Sequence, residues 1–122
     1  MRVPKRETLS FLRLVSIVVA ILLTASGCSG RVPETSKEVA AIPRSSGEIL
    51  LKWARVPDAT EYEILRREGP SGPYQVLGRM ERQSLSLLNT GLKSHTTYFF
   101  KLRACNRSGC SGFSQEVSAE AP

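Results

Sequence analysis

Histidine and aspartate each occur once in this chain, as His95 and Asp58. A hydrolytic centre needs a nucleophile, a base and a group that orients the base. Neither residue has such company nearby: His95 sits in a run of Ser and Thr, and Asp58 in a Pro57-Asp58-Ala59 turn. The remaining acidic residues are glutamates scattered singly, without the spacing of paired catalytic carboxylates or of a calcium loop. No glycine-rich phosphate loop is present. Two neighbouring cysteines and one distant histidine make no ligand set for a metal. The chain is therefore expected to be non-catalytic, with no metal and no cofactor.

Excess charge is also scarce once its location is considered. The formal net charge is +6, but Arg2, Lys5, Arg6 and Arg13, set against Glu7, place half of it before residue 28. What remains is too little for the basic footprint of a nucleic-acid binder, so nucleic acid is not expected as a partner. Cysteine is rare and odd in number, at positions 28, 105 and 110. In an oxidising compartment Cys105 and Cys110 can pair, which leaves Cys28 needing another role.

The one long uncharged run is LVSIVVAILLTASGCSG, from Leu14 to Gly30. It is near the lower length limit for a membrane span and is diluted by Ser16, Thr24, Ser26 and Gly27. A basic start, an apolar middle and small residues at the end form the pattern of a secretory signal. Ala25-Ser26-Gly27-Cys28 resembles a bacterial lipobox, with Ala25 where Leu is commoner. The resemblance implies cleavage after Gly27, a diacylglyceryl group on the Cys28 sulfur and acylation of the new amine. Such acyl chains hold a protein to the bilayer through buried methylenes. Ser29 in place of Asp favours the outer membrane where the host has one. The expected divisions are a signal peptide over 1–27, a lipidated N-terminus and flexible tether over 28–37, and a folded domain over 38–120. A tether of about 10 residues spans roughly 17 Å, which keeps the domain near the membrane.

From Gly47 onward the apolar period is two, the signature of strands. Ile49, Leu51 and Trp53 share one phase, as do Tyr62 and Ile64, and then Tyr98, Phe100, Leu102 and Ala104. The same reading turns Tyr74 and Val76 inward, and Leu85 with Leu87. An edge strand is expected in EVAAIP, ending at Pro43, and a last strand in GFSQEVSA. Turn residues separate the runs at Pro57–Ala59, Gly69–Pro73, Asn89–Gly91 and Asn106–Gly109. Seven short strands with no amphipathic helix argue for an all-β, seven-stranded Greek-key β-sandwich.

Together ILLKWARVPDATEYEILRREG and NTGLKSHTTYFFKLRACNRSGCSGFSQEVSA resemble a fibronectin type III domain, of immunoglobulin-like fold. Trp53, Tyr62, Ile64, Leu92 and Tyr98 stand where that family keeps its structural residues. The resemblance implies that the Tyr98 hydroxyl bonds back to nearby backbone. It also places Cys105 and Cys110 on either side of a hairpin tip, where a cross-strand disulfide fits if the Cα atoms lie within about 7 Å. Asn106-Arg107-Ser108, a glycosylation sequon in form, reads as the hairpin turn.

Such a fold hosts many roles and chooses none. The sharpest candidate surface is the outward face expected to carry Leu65, Arg67, Phe99, Lys101 and Arg103, with Glu63, and extended by Arg79 and Arg82. Apolar groups among cations could dock an anionic protein or glycan. The expected function is a membrane-anchored lipoprotein of the bacterial cell envelope, carrying a non-catalytic interaction module as an accessory subunit of an envelope complex. The rival readings are a structural spacer with no specific ligand, and a glycan-holding module that serves a separate enzyme.

Overall fold

Alternating burial along each strand is what builds the two layers here. A computed structural model describes residues 30–122; the apolar run as far as Ser29, with Cys28 in it, lies outside the described residues. It contains β1 (Val39–Pro43), β2 (Ile49–Trp53), β3 (Glu61–Glu68), β4 (Gln75–Glu81), β5 (Ser86–Asn89), β6 (Thr97–Asn106), β7 (Gly109–Cys110) and β8 (Val117–Glu120). No helix occurs among the described residues. One sheet has the order β1-β2-β5, and the other β4-β3-β6-β7 with β8 also paired to β6. All pairings are antiparallel.

The facing layers bury Ile49, Leu51 and Trp53 from one sheet against Tyr62, Ile64, Tyr98, Phe100, Leu102 and Ala104 from the other. Each large apolar side chain taken from water in this way contributes about 1.5–3 kcal/mol. The Trp53 and Tyr62 rings meet tilted, with centroids 5.7 Å apart. Leu92 is buried beneath the β5–β6 connection. There the Lys93 N–H donates to the Tyr98 hydroxyl at 2.9 Å, the backbone bond expected for that tyrosine. The other core hydroxyl, on Tyr62, accepts from the Val56 N–H at 3.0 Å and pins the β2–β3 turn to the core.

Several expectations need correction. Tyr74 and Val76 face outward, and Val76 is 60% exposed. The β3–β4 register shifts between Ile64 and Leu65, so that Ile64 pairs with Gly78 but Leu65 with Val76. Leu77 is the extra residue of this bulge and packs on the core; one inserted residue inverts the phase of everything before it. Leu85 precedes β5 and is exposed, whereas Leu87 does pack on the core.

Of the last strand expected over GFSQEVSA, only Val117–Ala119 is strand, within β8; a two-residue β7 lies before that stretch. Between β7 and β8, the Ala104 and Leu102 N–H groups donate to the Ser111 and Ser114 hydroxyls, each at 3.0 Å. The Ser111 and Ser114 N–H groups in turn donate to the carbonyls of Ala104 and Leu102. Two serine side chains thus take the place of ladder carbonyls, and the backbone leaves strand geometry there without leaving β6 unpaired.

Part of the stretch expected as free tether packs on the sandwich. Pro33 and Ser36 are buried, and the Arg31 carbonyl accepts from Asn106 Nδ2 at 2.6 Å.

Candidate binding face and disulfide

Alternate residues of β3 and β6 point away from the core, and the pairings bring them into rows. Leu65 stands opposite Lys101, Arg67 opposite Phe99 and Glu63 opposite Arg103. The bulge in β4 adds Tyr74 and Val76 to the same face, and Phe113 reaches it from the β7–β8 connection. All five sequence-expected residues are therefore brought together.

What sequence alone did not reveal is how these side chains satisfy one another. The Arg67 guanidinium lies 4.2 Å from the Phe99 ring and 5.3 Å from Tyr74. The Lys101 ammonium stands between Tyr74 at 4.2 Å and Phe113 at 4.6 Å, and Arg103 lies 4.8 Å from Phe113. Cations and rings alternate, an attraction of about 0.5–1 kcal/mol per exposed pair.

Glu63 was expected as an outward side chain, but it is almost entirely covered. One of its carboxylate oxygens accepts from Arg103 at 2.8 Å and the other from Arg79 at 3.0 Å. Arg79 also reaches Glu61 at 3.0 Å. Glu116 holds Arg67 at 3.2 Å and receives the Tyr74 hydroxyl. That hydroxyl, followed by the Arg67 guanidinium and the nearby Lys101, holds the Glu116 carboxyl below its ordinary value. The contribution of Glu116 to stability is accordingly present above the usual carboxylate range and fades as pH falls through the lowered value. Burial, before any other cause, pushes the Tyr74 phenol up.

The face is thus much closer to neutrality than its list of cations suggests. Among the described residues, Arg67, Arg79 and Arg103 are each engaged by a carboxylate, and Lys101 alone of the four is not.

Cys105 and Cys110 form a disulfide, with Cα atoms 4.0 Å apart. They are register partners at the β6–β7 hairpin, next to the Asn106–Gly109 pair. Cys105 is buried. Asn106 works through its side chain: Oδ1 accepts from the Ser108 N–H, while Nδ2 donates to the carbonyls of Arg31 and Asp58. Gly109 supplies the positive φ of the turn, at 137°.

His95 is exposed in the β6-proximal turn, at φ 59°, with Nδ1 3.6 Å from Glu120. Asp58 lies far along the chain in the exposed β2–β3 turn. No cluster of three metal-ligating residues occurs among the described residues. An open cleft of about 650 Å³ lies between the β3–β4 and β5–β6 turns. Its charges are also engaged: Lys93 pairs with Glu68 at 2.9 Å, and Arg66 lies over the Tyr98 ring at 5.4 Å.

No family model matches the sequence, and no curated protein matches it. Solved structures do match in shape. FN3tt superposes with a TM-score of 0.64 at 27% identity, over 75% of this chain and 96% of that one. An Fn3-like protein from Clostridium thermocellum gives 0.65 at 22% identity, over 75% and 96%. The structure of titin kinase and its flanking domains gives 0.65 at 18% identity, and covers 75% of this chain but 18% of that one. The described sandwich is a fibronectin type III-like domain.

Proposed function

We propose that this chain is a lipid-anchored lipoprotein of the bacterial cell envelope whose fibronectin type III-like domain is a non-catalytic binding module. In this reading Cys28 carries the acyl anchor, and the face of β4, β3 and β6 docks a protein partner as part of an envelope complex. The observation that carries the docking face is Lys101. Its ammonium is framed by Tyr74 and Phe113 and engages no carboxylate among the described residues. Val76 and Phe113 expose apolar surface beside it. A partner that presents an acidic side chain amid apolar contacts would complete this arrangement, since charge complementarity gives an interface its specificity and aromatic anchors shielded from water carry much of its affinity.

The closed ion pairs on the rest of the face favour a second reading, a spacer that binds nothing. Photo-crosslinking in intact cells from Val76 separates the two. The docking reading expects one protein adduct, lost in Lys101→Glu while the domain stays folded. An absence of adducts supports the spacer, and glycan adducts support a glycan-holding module.

A further inference from the structure

Residues 31–36 run along the β6–β7 hairpin as a strap. Asn106 Nδ2 holds the Arg31 carbonyl at 2.6 Å and the Asp58 carbonyl at 3.1 Å. Val32 crowds Gly109, where a Cβ would sit 3.1 Å from Val32 Cγ1, and Thr35 lies beside Gly112, its Oγ1 at contact distance, 3.4 Å, from a Cβ placed there. With Pro33 and Ser36 buried, the chain is held from Arg31 onward. It is held at the end of the sandwich that carries the Pro57–Asp58 turn and the Arg107–Ser108 tip. The opposite end is closed by Ala121 and Pro122, whose carbonyls accept from the N–H groups of His95 and Gly47.

We infer that the domain stands on the bilayer on its strapped end, with the Pro57–Asp58 turn and the Arg107–Ser108 tip against the lipid headgroups and the turn carrying His95 turned away. This orientation rests on the proposed anchor at Cys28. Three residues lead from Cys28 to Arg31, and three extended residues reach at most about 10 Å. The ten residues of β6 extend roughly 33 Å, so a leash that short cannot bring the far end to the surface. A leash of about ten free residues would span roughly 17 Å on average and leave the domain free to turn. The side chains at this end suit a lipid surface: Val32 is 50% exposed, Pro57 is exposed, and Arg31 and Arg107 offer guanidinium groups to phosphate.

The test uses the lipidated chain in vesicles of phosphatidylethanolamine and phosphatidylglycerol, with p-benzoylphenylalanine placed at Arg107 or at His95. Flotation reports the anchor and phospholipid adducts report the orientation. The expected result is a floating protein with adducts from position 107 and none above background from position 95. Inserting about ten Gly and Ser residues between Ser29 and Gly30, a free span of roughly 17 Å, should keep flotation and abolish that contrast. A floating protein with equal adducts at both positions overturns the orientation, and a contrast that survives the insertion overturns the short leash as its cause. A protein that fails to float overturns the anchor, and the orientation with it.

Discussion

Tyr62 and Tyr98 look alike in sequence, as aromatic residues in the inward phase of their strands, yet each hydroxyl holds a different turn. Tyr62 satisfies the Val56 N–H and Tyr98 the Lys93 N–H, so both ends of the sandwich are tied to the core by a phenol. Glu63 shows the same economy on the outer face. Its period-two position reads as exposed, but Arg79 and Arg103 close over it. Removing its charge leaves both guanidiniums without that partner. Charge-assisted hydrogen bonds contribute about 1.5–3 kcal/mol when covered, and Arg79 is itself largely solvated, which reduces its share. Glu63→Gln is therefore expected to lower stability by about 1–3 kcal/mol, measured by urea denaturation with an unchanged slope. A loss near zero would mean that solvent already screens the pair.

At the scale of elements, the decisive features are interruptions. The bulge at Leu77 turns Tyr74 and Val76 onto the candidate face, and the serine substitution between β7 and β8 frees the segment from which Phe113 reaches it. Neither interruption carries a hydrophobic signal: a bulge is one residue of unpaired backbone, and Ser114 reads as a polar residue of an ordinary strand, with Ser111 just before it. The β6–β7 hairpin has the opposite character, because its cysteines were legible as a pair flanking a turn. Closing so short a loop contributes about 2 kcal/mol in the chain-entropy account. The double variant Cys105→Ser/Cys110→Ser should thus melt about 10 °C lower, given the usual 4–8 °C per kcal/mol for a domain of this size. Calorimetry with and without reductant checks this: the reduced wild type should match the variant, and an unshifted melting temperature would show that the bond adds nothing.

For the molecule as a whole, the domain boundary moves toward the N-terminus. The strap adds residues 31–36 to a folded unit expected to begin at residue 38. A chain beginning at Glu38 leaves the site of Pro33 open, and burial of one such side chain is worth about 2 kcal/mol. It should be less stable than residues 30–122 by about that amount in chemical denaturation; equal midpoints would return residues 31–36 to the status of a passive tether. The sandwich itself, its core set of Trp53, Tyr62, Ile64, Leu92 and Tyr98, and the cysteine pair were all readable from the chain. The inward phase of Trp53, Tyr62, Ile64 and Tyr98 follows from local periodicity, which each segment carries in its own sequence; Leu92 and the hairpin position of the cysteines were implied by the resemblance to fibronectin type III domains. The self-neutralisation of Arg67, Arg79 and Arg103, the framing of Lys101 by Tyr74 and Phe113, and the strap on Asn106 were not readable. Each joins residues from different strands or loops, and the framing of Lys101 depends in addition on a bulge and on the break between β7 and β8. Sequence by itself determined which residues face inward on the regular strands; only the tertiary structure decided which cation on the outer face remains without a carboxylate, because charge compensation is a property of cross-strand distance and not of order along the chain.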